Sequence, residues 1–158
     1  MSPKSLFIIL GNQLFPISEI DKYKDSYFFM AEDYALCTYE KHHKHKLIFF
    51  LASMRKHAKE LENNNYSINY YKLNKNNLNI LYEDKIKDFI SKKKISIIKM
   101  YQIEDKFFEK RIINFCKKNN YEIQFLDSPM FLNTRDDFVN YLSKIKKPFM
   151  ATFYKKQR

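Results

Sequence analysis

The sequence predicts an α/β domain: a Rossmann-like or flavodoxin-like three-layer fold around a five-stranded parallel sheet. Three observations predict it. Five short β-branched or aromatic runs, each bounded by polar or turn residues, recur at 6–10, 27–30, 67–73, 95–101 and 122–126. Helix-like segments lie between and after them, near 40–63, 79–93, 104–118 and 134–143, and strands alternating with helices of this length build a twisted parallel sheet. The chain has 158 residues, enough for one such domain with a real core and too few for two comfortable ones.

The first run ends on Gly11, the only glycine of the chain, in Leu10-Gly11-Asn12-Gln13-Leu14. A dinucleotide fold needs several glycines in this turn so that backbone can approach a pyrophosphate, and a Walker-type loop is likewise excluded. Gly11 can still make the tight turn that sets Asn12 and Gln13 at the sheet edge, where their amides either bond a ring or polyol or merely finish the strand. Pro16 and Ser18 then indicate a loop with a short helical turn.

The second run, Tyr27-Phe28-Phe29-Met30, feeds a polar stretch dense in acid, Cys, Thr, Tyr and His, which becomes one long amphipathic helix. A strand's carboxyl end meeting the next helix is where ligands collect in α/β domains. At 100° per residue, His43, Leu47, Phe50, Leu51, Met54, Ala58 and Leu61 form a stripe expected to face the sheet. His42, Lys46, Ser53 and His57 fall on an adjacent flank, and Phe49 points away from the stripe. Asn63-Asn64-Asn65 supplies left-handed helix-ending residues in a chain almost without glycine.

The chemistry of this stretch reads as holding, not cutting. His42, His43 and His45 are spaced wrongly to converge on a metal ion, and no second Cys or His cluster completes a tetrahedral set. Glu32 and Asp33 have no partner acid and suit a helix cap better than acid–base work. Cys37 has no identifiable base or oxyanion donor beside it. His42 and Lys46, one turn apart, are placed to meet a ligand's polar edge.

Composition limits the partners. The formal charge is +11, from 29 Lys+Arg against 18 Asp+Glu. That permits nucleic acid without requiring it, since Lys, Asn, Ile and Tyr are inflated together and Arg is scarce beside Lys. Two cysteines, Cys37 and Cys116, make no disulfide framework, and no apolar run of about 18 residues or export signal appears. A reduced, cytoplasmic protein without a membrane partner is expected. Residues 1–145 are expected to form the domain. Residues 146–158, with Phe149, Phe153 and Tyr154 among lysines, are expected to begin a linker to a further region.

Several stretches resemble the N-terminal domain of the deoxyribodipyrimidine photolyase-related proteins, the prokaryotic iron–sulfur branch of the photolyase/cryptochrome family. They are 6–14 (LFIILGNQL), Met30-Ala31-Glu32-Asp33-Tyr34, Cys37-Thr38-Tyr39, Lys41-His42-His43-Lys44-His45-Lys46 and Ala52-Ser53-Met54-Arg55. Phe131 to Phe138 and the tail Phe149-Met150 through Phe153-Tyr154 to Arg158 are similar as well. The chain departs from the family pattern at Asn12, usually Asp, at Ala151, commonly an acid, and at Lys155, generally Arg.

The resemblance implies an antenna domain that binds a lumazine-type pigment, 6,7-dimethyl-8-ribityllumazine, and passes excitation energy to FAD. It implies that FAD, an iron–sulfur cluster with four cysteine ligands and the DNA lesion site belong to a C-terminal region of a longer protein, which would be this chain's partner. The implied pocket comprises Asn12, Gln13, Glu32, Cys37, His42 and Lys46. Gln13 and Glu32 are expected on the heterocycle, and His42 and Lys46 on the polyol or a carbonyl. The alternative is a free-standing basic α/β module for nucleic acid or a protein partner, without catalysis.

Overall fold

A computed structural model describes residues 5–157. The elements, in order, are β1 (Leu6–Ile8), α1 (Ile17–Ile20), a 3-10 turn (Asp21–Tyr23), β2 (Tyr27–Ala31), α2 (Tyr34–Thr38), α3 (Lys44–Asn63), β3 (Ile68–Tyr71), α4 (Tyr82–Lys93), β4 (Ile97–Tyr101), α5 (Lys106–Asn119), β5 (Glu122–Leu126), α6 (Arg135–Leu142) and α7 (Met150–Gln157). They divide into two compact units, Met1–Leu126 and Asp127–Arg158.

The first unit is the expected α/β fold. All four strand pairings are parallel, in the order β3-β2-β1-β4-β5. Alternation along the central strands sends side chains to opposite faces. Leu6, Ile8, Phe29 and Ala31 join Ile86, Ile90, Ile112 and Cys116 beneath α4 and α5. Phe7, Ile9, Phe28 and Met30 join Met54, Ala58 and Leu61 of α3 on the other face. Each fully buried side chain of this size contributes about 1.5–3 kcal/mol, so two such cores hold the sheet between its helices.

Three helices return to the sheet through the same corner. Asn65, Lys94 and Asn120, each just past a helix, have φ of 61°, 53° and 56°. The next N–H closes back onto the helix in each case: Tyr66 to the Leu61 carbonyl at 3.0 Å, Ile95 to Ile90 at 3.3 Å and Tyr121 to Cys116 at 3.0 Å. These are Schellman-type ends. The expectation that asparagine would do glycine's work after residue 63 holds, and Lys94 does the same for α4.

The long helix expected over 40–63 is α3, which starts only at Lys44, and a separate short helix, α2, precedes it. Asp33 caps α2 by accepting from the Leu36 N–H at 3.0 Å, the chain opens over 39–43, and α3 starts afresh with His43 as its N-cap. His43 Nδ1 accepts from the His45 N–H at 3.3 Å. His43 is therefore exposed at the helix start and not on the buried stripe, which holds from Leu47 to Leu61. His57, read as a flank residue, is buried, and burial pushes its imidazole below the ordinary value. Phe49 is 76% exposed, as its position off the stripe required.

The second unit pairs two short helices. Thr134 and Asp137 form a reciprocal capping box at the start of α6. The Tyr141 hydroxyl donates to the Phe149 carbonyl at 2.7 Å, and Phe138, Tyr141 and Phe153 pack ring against ring. The tail is thus a helix with Phe153 inside, a feature its composition did not disclose. Phe131, Leu132, Phe149 and Tyr154 stay exposed.

Candidate functional site: a cleft at the strand reversal

Strands β1, β2 and β3 step outward in one direction, whereas β4 returns to the opposite side of β1. At such a reversal the loops leaving neighbouring strands part, and a crevice opens at the carboxyl ends. A cleft of about 260 Å³ lies there. Its floor is Leu10, Gly11 and Asn12 after β1, and Ala31, Glu32 and Asp33 at the end of β2. Tyr39, Phe50, Tyr82 and Phe108 contribute aromatic walls, and Leu36, Cys37 and Met54 fill between them.

Glu32 is the hub of the polar side. Its residue is 1% exposed. One carboxylate oxygen accepts from Arg55 Nε at 2.6 Å and the Tyr70 hydroxyl at 2.5 Å; the other accepts from Arg55 Nη2 at 2.9 Å and the Leu73 N–H at 2.8 Å. Burial alone would raise this carboxyl, but these bonds and the Arg55 charge outweigh it and hold the group below its ordinary value. Four donors use the acceptor capacity of a carboxylate. Glu32 thereby ties the end of β2 to α3, β3 and the following loop.

Asp33 has a different burden. One oxygen caps α2, and the other accepts from Lys85 Nζ at 2.7 Å. Lys85 also donates to the Glu32 carbonyl at 3.0 Å, and both residues of the ion pair are almost wholly buried. The carboxylates read as a cap from sequence are a cap at Asp33 and a tie at Glu32.

The other expected site residues are distributed unevenly. Asn12, Glu32 and Cys37 line the cleft together. Gln13 is buried outside the lining, its Nε2 donating to the Gln102 carbonyl at 2.8 Å and to Glu104 Oε1 at 3.1 Å. Its Oε1 is buried and accepts no hydrogen bond among the described residues. Asn12 Nδ2 donates to the same Glu104 at 3.0 Å. His42 stands outside α3, edge-on to the lining residue Tyr39 with ring centroids 6.3 Å apart. Lys46 is exposed on the first turn of α3 and is not part of the lining. Burial, reinforced by Asp33 and Glu32, raises the Cys37 thiol, so it lies in the cleft as a thiol and not a ready thiolate.

Sequence reasoning missed Arg55, Tyr70 and Lys85. Lys85 had a signal: it sits on the stripe made by Tyr82, Ile86, Phe89 and Ile90, and a lysine there implies a buried carboxylate. Arg55 and Tyr70 come from elements whose facing sides only the assembled sheet reveals.

Gly11 matters for space. A Cβ there would lie 2.5 Å and 2.7 Å from ring carbons of Phe50 and 2.8 Å from Met54 Sδ. Gly11→Ala is expected to displace the Phe50 ring in the cleft wall and to cost about 1–3 kcal/mol. A urea melt reads the cost, and an unchanged midpoint would show that the wall yields freely.

The family profile described as deoxyribodipyrimidine photo-lyase-related protein matches residues 7–158. The chain belongs to that family. Among curated relatives of this photolyase-related chain is the (6-4) photolyase of Agrobacterium fabrum (strain C58 / ATCC 33970). It is 25% identical over 157 residues, covering 97% of this chain and 31% of the relative. The chain thus spans less than a third of that photolyase's length. No helix among the described residues is long and apolar enough to cross a membrane.

Proposed function

We propose that this chain is the antenna module of a photolyase-like flavoprotein and that its cleft holds a lumazine-type pigment, 6,7-dimethyl-8-ribityllumazine. The observation that carries the reading is the cleft itself. In a photolyase-related chain, the strand reversal opens onto a concavity walled by Tyr39, Phe50, Tyr82 and Phe108, with Asn12 at its edge. Aromatic walls with a few fixed polar groups suit a flat heterocycle. When bound, such a pigment would supply light absorption and pass the excitation to FAD.

The chain's own residues do the binding. The aromatic walls exclude water and clamp the ring, and Asn12 offers an amide oxygen while its Nδ2 is held by Glu104. Glu32 keeps the loop after β2 in place through Arg55, Tyr70 and Leu73, and Tyr39 and His42 form the rim. Gln13 fixes the turn beneath the cleft through Gln102 and Glu104. Cys37 packs against the ligand from the α2 side, and Lys46 is one of the basic side chains at the nearby start of α3. In this reading FAD, the iron–sulfur cluster and DNA photoproduct repair belong to a C-terminal region of the family's kind. Cys116 lies in the core and leaves Cys37 as the only other thiol, short of the four that a cluster takes.

The test is a titration of the purified chain with 6,7-dimethyl-8-ribityllumazine, followed by absorption and fluorescence. A saturable spectral shift is expected, weakened about tenfold or more by Phe108→Ala, since stacking on an aromatic side chain contributes about 1–3 kcal/mol in ring recognition. No spectral response from a folded chain would overturn the assignment.

A further inference from the structure

We propose that the cleft selects an uncharged ligand and rejects one bearing phosphate, so that a ribityl pigment enters as the free polyol and not as its 5′-phosphate. This rests on the pigment reading of the cleft and adds the chemical class the site accepts.

The chain carries +11, yet no Lys, Arg or His lines the cleft among the described residues. Its charged lining is Glu32, Asp33 and Asp105, and Glu104 stands one hydrogen bond behind the lining residue Asn12. Two cations answer these four carboxylates, Arg55 on Glu32 and Lys85 on Asp33; Lys85 is enclosed, and Arg55 is half-exposed with its guanidinium engaged by both Glu32 oxygens. Four acids against two cations leave Glu104 and Asp105 as a net charge of −2 in and just behind the lining.

Helix N-termini do not reverse that sign. The start of α5 would attract an anion, but Asp105 already occupies it, accepting from the Phe107 N–H at 2.8 Å and the Phe108 N–H at 3.1 Å. The start of α4, which contributes Tyr82 to the wall, carries Glu83 and Asp84 in its first turn, and Arg111, stacked over the wall residue Phe108, is engaged by both oxygens of Glu83. A phosphate monoester brings about −1.5 to −2 charges near neutral pH. Placed in the cleft it would lose water, meet like charges and find no cationic donor among the lining residues. A ribityl chain brings hydroxyl donors instead, which the Asp105 carboxylate and the Asn12 amide oxygen can accept.

The experiment compares 6,7-dimethyl-8-ribityllumazine with its 5′-phosphate ester by fluorescence titration of the full chain, at about 20 mM and about 300 mM salt. The ester is expected to bind at least about tenfold more weakly at low salt, with the gap narrowing at high salt. In Glu104→Gln/Asp105→Asn the gap should also shrink, because both substitutions keep an acceptor oxygen and Asn caps a helix as well as Asp does. A thermal melt followed by circular dichroism checks that this variant folds, and the salt dependence of the unaltered chain tests the proposal independently of it. Equal or tighter binding of the ester overturns charge selection while leaving the pigment reading intact. Failure of both ligands to bind overturns the pigment reading, and the selection with it.

Discussion

Lys85→Met is expected to destabilise the first unit by about 3–5 kcal/mol, the usual result of removing one partner from a buried ion pair. Lys85 Nζ is sealed from solvent between Asp33 Oδ2 and the Glu32 carbonyl. Methionine fills much the same space, so lost packing is a minor part of the loss. The larger part is the Asp33 carboxylate, left buried with only the Leu36 N–H as partner. Adding Asp33→Asn should recover much of the stability, because asparagine carries no charge and still caps α2. Urea unfolding of the single and double variants at neutral pH closes the cycle. A single variant within about 1 kcal/mol of the parent would mean that the pair is hydrated.

Glu32→Ala is expected to cost about 2–4 kcal/mol. The Tyr70 hydroxyl and the Leu73 N–H lose their acceptor in a partly buried place, whereas the Arg55 side chain, 44% exposed, can turn to water and softens the loss. The pH dependence has a definite sign. The folded carboxyl titrates below its ordinary value of 4.5, so the unfolded chain binds the proton more readily. Its stabilisation is complete above the unfolded value and fades as the pH falls through the folded one. The advantage of the parent over Glu32→Gln should therefore be present at neutral pH and vanish in acid. Melting curves of both across that range check it; a constant difference would show that the charge of Glu32 contributes nothing.

The fold was legible because local chemistry and global arrangement agree. The runs at 27–30 and 122–126 are strands because Phe28, Phe29, Ile123 and Phe125 bury against helices, and the expected turn near Pro16 is α1. The break at 39–43 was hidden because the apolar pattern from Leu47 to Leu61 extends smoothly back to His43. Three lysines and three histidines over 41–46 disfavour carrying α3 further back by charge, and His43 caps α3 at Lys44 while Asp33 starts the separate α2. At the site, Glu32 and Asp33 could be located from the end of a strand. What they hold could not, because Lys85, Arg55 and Tyr70 reach them from 53, 23 and 38 residues away.

The two rims of the sheet are written in different styles. On the rim where α3, α4 and α5 hand over to strands, one left-handed corner is used three times, at Asn65, Lys94 and Asn120. On the opposite rim the connections 9–16, 32–33, 72–81 and 102–105 share neither length nor chemistry. A scaffold divided this way can be revised at one end without disturbing the other. The generic rim carries the geometry that any doubly wound sheet requires, and the individuality of this molecule is concentrated in four short connections at the other.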